Sequence, residues 1–454
     1  MIGSSLSKWT MSYFAIAVGW LVAAEALMAG GFGFPVADLT SPDTLVIVHM
    51  VCIGWLSMAM CGALFQFVPV LVNNRLFAER WQLPALMLLA LGLPVLIAAF
   101  MVLGGRLPAW LWLFPLAAGL LMAGFALVVI DLGLTIWRAR PPVGPAHFVL
   151  AGLVCLCAVV ALGSVFAWSL SGRGGEALDR LLGSGVPLHA IAGLGGWLTL
   201  TAMGVSYRLL SMFMLAPDID GRRSGLTLAA GAFASALAVA GGLCAIAAQE
   251  GMAIMLGAAA VLGLAALALY GRDVVALYRS RKRRQLELNT EMAAYGFASL
   301  AAAALLGIAL ALTGSFAAHV GAFTFLVAFG WLSRLVLALQ DRRVPHLARD
   351  LRPGDGARTD AACAGPRRRA ARVEVVRRLL RQRLVRNRGS AFRTRPRVPR
   401  HRPHHDRDDD WHRSRVDPDA TPHRRGTEAA TAEWNADAAT AVFAKLNHRE
   451  EDHP

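Results

Sequence analysis

From near the N-terminus to about residue 340 the chain alternates long apolar stretches with short polar joints, and beyond that point the apolar stretches stop. The stretches fall at 12–34, 44–71, 84–104, 109–136, 147–169, 187–213, 225–247, 251–271, 291–313 and 315–339. About 20 consecutive apolar residues carry a helix across the hydrocarbon core of a bilayer, so the pattern predicts ten transmembrane helices. The predicted fold class is all-α, a polytopic transmembrane helix bundle over residues 1–340, and its first partner is the lipid bilayer.

The joints alternate in charge. Arg75 and Arg80, Arg138 and Arg140, Arg222 and Arg223, then Arg279 to Arg284 follow the second, fourth, sixth and eighth stretches. The other joints hold Asp38 and Asp43, a lone Arg106, a balanced set of Arg173, Glu176, Asp179 and Arg180, and Gln249 with Glu250. Basic loops stay on the cytoplasmic side, which predicts a cytoplasmic N-terminus. The first apolar run leads into further spans without the small-residue cleavage site of a signal peptide.

One phrase recurs inside the stretches. TLVIVHMVCIGWLSMAMCGALFQFVPVL (44–71) returns as LHAIAGLGGWLTLTAMGVSYRLLSMF (188–213) and as AAHVGAFTFLVAFGWLSRLVLAL (317–339). Aligned on Gly54-Trp55-Leu56-Ser57, Gly196-Trp197-Leu198-Thr199 and Gly330-Trp331-Leu332-Ser333, the copies stand 142 and 134 residues apart. Each has one histidine upstream: His49, His189 and His319. The copies occupy the second, sixth and tenth helices, so the bundle reads as a pseudo-threefold repeat of four-helix blocks, with ten spans visible of an expected twelve. All three helices run the same way, from outside to inside, and their histidines are expected at matching depth in the outer half of the membrane.

Composition agrees with the first part of the chain and isolates the last. Mean hydropathy is +0.50 and 56% of residues are hydrophobic, more than a soluble core could absorb. The formal charge of +15 belongs mostly to residues 341–454, which are rich in arginine, while lysine occurs only at 8, 282 and 445. A nucleic-acid arm usually mixes both cations, so no nucleic-acid partner is predicted. The third copy stops matching at Gln340, and with one permitted choice of codons a one-base shift in the reading of residues 340–366 restores the ending of the repeat. The same shift over 373–390 can give a further apolar span. The tail therefore reads as out of frame, the other reading being a disordered basic segment. As it stands, 371–387 has the pattern of a basic amphipathic helix, and His401, His404, His405 with Asp408 to Asp410 form no organised metal site.

The candidate chemistry lies in the histidines. An imidazole in hydrocarbon loses its hydrogen bonds unless a partner or a metal replaces them. Three at equivalent positions could each present a ring nitrogen to a haem iron or a copper ion; interhelical hydrogen bonding inherited from one ancestral repeat is the plainer reading. Small residues at Gly54, Ser57, Gly62, Gly196, Thr199 and Gly204 allow close approach of helices or of a flat ligand. Trp55, Trp197 and Trp331 suit either a macrocycle or ordinary core. Glu25 and Asp131 are acids within spans, candidates for a proton route or solitary hydrogen-bonded acids. His147 reads as interfacial, and Cys52, Cys61, Cys155, Cys157 and Cys244 read as small core residues, since none has metal-site spacing.

Helices with a histidine, a short apolar gap, Gly-Trp-Leu-Ser/Thr and a threefold repeat of four-helix blocks resemble the haem-copper oxidase subunit I superfamily, and more closely its divergent members and the NnrS-type haem and copper membrane proteins. The resemblance covers roughly residues 10–340. It implies that His49 corresponds to a haem ligand of the second helix, that His319 falls on the haem-ligating tenth helix, and that His189 matches a copper ligand of the sixth. The seventh helix holds no histidine, Gly193 stands where the family has a tyrosine, and the tenth helix has one histidine where the family has two. Divergent relatives carry His-x-His; here Ile47 and Ile191 occupy the other places. The resemblance thus implies a bacterial inner-membrane haem protein, its single haem ligated by His49 and His319, for electron transfer or nitric-oxide-related or haem-related chemistry, with a small redox donor as partner and copper second to haem. The other readings are a reductase of oxygen or nitric oxide, and a metal-free transporter or structural protein on the same scaffold.

Overall fold

The computed structural model describes residues 8–139, 144–283 and 285–340; the readings made above for the tail beyond 340 lie outside them. Among the described residues ten helices are long and apolar enough to cross a membrane: α1 (Trp9–Ala29), α2 (Pro42–Leu71), α3 (Glu79–Leu103), α4 (Leu113–Arg138), α5 (Gly144–Arg173), α6 (Glu176–Met214), α7 (Gly221–Ala248), α8 (Met252–Arg279), α9 (Leu288–Leu312) and α10 (Phe316–Ala338). The described residues contain no strand. The protein is an all-α polytopic membrane bundle.

Two helices run past the apolar stretches that announce them. α6 begins at Glu176, eleven residues before the apolar run at 187. Its extra turns are amphipathic, opening after Gly175 with Glu176 and Asp179 in the first turn, where acids favour a helix N-terminus. At 39 residues α6 is about 58 Å long at 1.5 Å per residue, well beyond a hydrocarbon core of about 30 Å. α8 continues to Arg279 through Arg272 and Asp273, charges that end the apolar run at 271 but not the helix.

The repeat is visible in the packing. α1 lies on α2, α5 on α6 and α9 on α10, while α3 packs along α4 and α7 along α8. At each crossing the glycine of the Gly-Trp step is a point of close approach of the partner helix. A Cβ on Gly54 would sit 2.6 Å from Trp20 Cγ, one on Gly196 2.6 Å from Cys155 Cβ, and one on Gly330 3.1 Å from Ser299 Cβ. Eight residues later the contact recurs: a Cβ on Gly62 would meet Tyr13 Cβ at 2.8 Å and one on Gly204 would meet Phe148 Cβ at 2.4 Å. The third copy has the buried Ala338 there. Small residues spaced this way let backbones approach without the help of a hydrophobic driving force, which lipid does not supply.

Candidate functional site

The three copies meet at the centre of the bundle. In each, the α-helix widens into a π-helical segment, Met50–Ser57, Ile191–Leu200 and Leu326–Leu332, and each segment touches the other two. A π turn leaves carbonyls without their i+4 partner, and the fourth residue of the motif answers this: Thr199 donates to the Leu194 carbonyl at 2.7 Å and Ser333 to the Ala328 carbonyl at 2.8 Å, each five residues back. At two of the three copies, Ser57 and Ser333, the hydroxyl of this fourth residue also receives the tryptophan of a neighbouring copy. Trp55 Nε1 donates to Ser333 Oγ at 2.8 Å and Trp197 Nε1 to Ser57 Oγ at 3.0 Å. The third bond of this ring would run from Trp331 to Thr199, but Trp331 Nε1 is buried without a partner. All three indoles are enclosed, at 1% exposure or less. The tryptophans thus pack the core, and two of them carry a polar latch between copies.

The histidines lie toward the other end of these helices, away from the N-terminus of the bundle. Two of them come together: the His49 and His189 ring centroids are 6.5 Å apart with planes inclined by 33°. His49 Nδ1 lies 2.8 Å from the Leu45 carbonyl. Phe100 flanks His49 at 4.9 Å and Phe166 flanks His189 at 5.6 Å. His319 is not with them. It is exposed, its Nδ1 3.1 Å from the Ser315 carbonyl. The spacing explains the difference, since His49 precedes its tryptophan by six residues, His189 by eight and His319 by twelve. Six residues more than His49 and four more than His189 put His319 about 9 and 6 Å further along its helix, out of the level at which the other two meet. Matching depth therefore describes His49 and His189, whose rings meet, and not His319.

In both His49 and His319 the carbonyl can only accept, so Nδ1 carries the hydrogen and Nε2 carries the lone pair. A ring N–H tied to a backbone carbonyl with the other nitrogen free is the arrangement in which imidazoles bind metals. His319 stands on one helix face with Phe316 three residues before it and Phe323 four after; these two rings pack on each other, centroids 5.4 Å apart, and Phe323 lies over Gly307, whose missing Cβ leaves it its place. That face offers one ligating nitrogen beside an aromatic pair. Among the described residues no group of three or more His, Cys, Asp or Glu could hold a metal ion, so a three-imidazole copper centre is not assembled.

At the end of the bundle that carries the N-terminus lies a pair of buried acids, only one of which stood out in the sequence. Asp131 Oδ1 accepts the Ala78 N–H at 2.8 Å, and Thr135 accepts the Phe77 N–H at 2.9 Å, so α4 clasps the joint between α2 and α3. Asp273 is its repeat equivalent, 142 residues on, and is also fully buried. Tyr207 donates to Asp273 Oδ2 at 3.0 Å and Arg272 pairs with Oδ1 at 3.1 Å. The same offset of 142 that relates the Gly-Trp steps would have found it. Phe65 stands where Tyr207 would fall in the first block, and Asp131 Oδ2 is accordingly buried without a partner. Tyr207→Phe should then cost about 1–3 kcal/mol in thermal unfolding in detergent, while Phe65→Tyr, which brings a hydroxyl toward Asp131, should be neutral or stabilising. Equal losses for both would break the equivalence. Glu25 and His147 are exposed.

The far end is pinned by charge. Arg106 grips Asp43 through two bonds, Nε to Oδ1 at 3.0 Å and Nη2 to Oδ2 at 2.6 Å, and lies 5.2 Å above the Phe32 ring. These hydrogen bonds, with the carboxylate charge behind them, hold the guanidinium above its ordinary pKa. The five cysteines of the described helices are free thiols. Compared with protein-family models and with curated proteins, the chain matches none.

Proposed function

We propose that the chain is an integral membrane haem protein, used for electron transfer or for nitric-oxide-related or haem-related chemistry in a bacterial inner membrane. The observation that carries this reading is His319. Its Nδ1 is tied to the Ser315 carbonyl, which leaves the lone pair on Nε2, and it stands exposed on an apolar helix face that also carries the packed rings of Phe316 and Phe323. An imidazole with its tautomer fixed and an aromatic pair on the same helix face suits a haem, and His319 would be the residue that holds the iron. Bound there, the haem would supply one-electron chemistry and an open coordination position for a small diatomic ligand. The chain's own part is to orient the imidazole through Ser315 and to offer an apolar aromatic edge beside it.

Joint ligation by His49 and His319 has less support, because His49 faces His189 inside the bundle and His319 is exposed. The test is a pyridine haemochrome spectrum of the purified full-length protein and of His319→Ala. The wild type is expected to carry haem, and the variant to lose it by about tenfold or more. A wild-type protein expressed with ample haem and purified without a Soret band would end the reading. Loss of haem from His49→Ala but not from His319→Ala would move the ligand.

A further inference from the structure

The exposed side of α8 departs from its repeat at two positions, and both changes are to arginine. An exposed stripe runs along α8 from Val261 through Ala265, Ala268, Arg272 and Val275 to Arg279, in steps of three or four residues that keep it on one helix face. On α4, 142 residues earlier, Ile130 and Trp137 stand exposed where α8 has Arg272 and Arg279. Hydrocarbon suits the first pair and not the second. We infer that this end of α8 holds the headgroup of one anionic phospholipid, with an acyl chain of that lipid lying along the small residues of the stripe.

Depth and charge select this occupant. Counted from Met252, about 20 residues cross a hydrocarbon core and bring the helix to Arg272, so its guanidinium stands at the level where phosphates begin. Arg279 lies about 10 Å further out on the same face. Arg272 is anchored from behind: its Nε and Nη2 donate to Oδ1 of the buried Asp273 at 3.2 and 3.1 Å, which leaves most of its N–H groups for an outside acceptor, and its side chain is 44% exposed. A phosphate diester oxygen is the acceptor that a guanidinium takes best. Arg279, Arg281 and Lys282 follow, and none of them pairs with an acid among the described residues. That excess of positive charge favours a lipid with a net negative headgroup over a zwitterionic one, which brings a cation of its own. A second copy of the chain suits the stripe less well. Packed about a twofold axis, it would set Arg272 against Arg272 and Arg279 against Arg279. The site is independent of His319 and of the haem reading.

The test is native mass spectrometry of the purified full-length protein in detergent, titrated with phosphatidylglycerol, with phosphatidylcholine of the same acyl chains, and with inorganic phosphate. One phosphatidylglycerol is expected to stay bound, about tenfold or more tighter than phosphatidylcholine, and inorganic phosphate should not displace it. Each basic residue beside a headgroup is worth about fivefold, so Arg279→Gln should weaken binding by about that factor and Arg279→Lys should restore most of it. Arg279 has no ion pair among the described residues, so its loss leaves the fold alone. Ile130→Arg with Trp137→Arg carries the pattern to α4 and should add a second bound phosphatidylglycerol, a gain that a purely structural role for the arginines does not produce. Equal affinity for the two lipids, or an Arg279→Gln protein that binds like the wild type, would overturn the inference. So would a monodisperse α4 variant that still binds one lipid. Displacement by inorganic phosphate would overturn it in favour of an anion site without a lipid, and a dimer strengthened by Arg279→Gln in favour of a second copy on the stripe.

Discussion

Leucine at Gly196 is expected to leave no folded bundle. The backbone of α6 comes so close to α5 there that even a Cβ would lie 2.6 Å from both Cβ and Sγ of Cys155, and the branch of a leucine has nowhere to turn. Gly204 repeats the constraint two turns later, with Phe148 Cβ at 2.4 Å and the Pro145 carbonyl at 2.9 Å, so α6 cannot relieve the clash by pivoting. Overpacking ordinarily costs about 1–3 kcal/mol, and here it must either separate two helices along their length or turn α6, which would pull Trp197 off Ser57. Gly54→Leu strikes Trp20 in the same way. Gly119 and Gly133 of α4 are the control, because nothing lies within 4 Å of a Cβ at either, and leucine there should leave the protein monodisperse. The measurement is recovery of a single size-exclusion peak in detergent and its thermal midpoint. A Gly196→Leu protein that elutes and melts like Gly133→Leu would show that the crossings of α5 and α6 are not as tight as described.

Close approach at these glycines was readable in advance, though not whether a helix or a flat ligand makes it, and so was the number of spans, because run length sets a membrane helix and recurrence marks a shared feature. What the sequence concealed depends on parts of the chain that are distant or polar. Asp273 escaped because it follows Arg272 at the edge of an apolar run, where a charge reads as the end of a span; the repeat offset carries the information that the run obscures. The amphipathic start of α6 looked like a loop because its charges balance. The meeting of His49 with His189 depends on how two helices 140 residues apart are rotated against each other, and the π segments alter that rotation within the motif itself. His319 is the opposite case: its twelve-residue distance from Trp331 was plain, and counting it against six and eight already moves it about 6–9 Å along the helix from the level of the other two.

The tryptophan latch yields the second prediction, in which three alike substitutions separate into two outcomes. Trp55→Phe, Trp197→Phe and Trp331→Phe remove similar volume from similarly enclosed sites, so their packing costs should be close. Their polar costs differ. The first two leave Ser333 and Ser57 without the N–H they receive, whereas Trp331 Nε1 has no partner to lose and its removal relieves a buried unpaired donor. Trp331→Phe should therefore be the mildest of the three, by about 0.5–2 kcal/mol, the range of interhelical hydrogen bonds in membranes. Ser333→Ala should exceed Thr199→Ala for the same reason, since Ser333 both accepts from Trp55 and ties down the Ala328 carbonyl, while Thr199 shows only the bond to Leu194. Reversible unfolding in mixed micelles measures the five variants on one scale. If Trp331→Phe costs as much as Trp55→Phe, the ring is closed by a bond from Trp331 to Thr199, and the three copies are more nearly symmetric than their hydrogen bonds indicate.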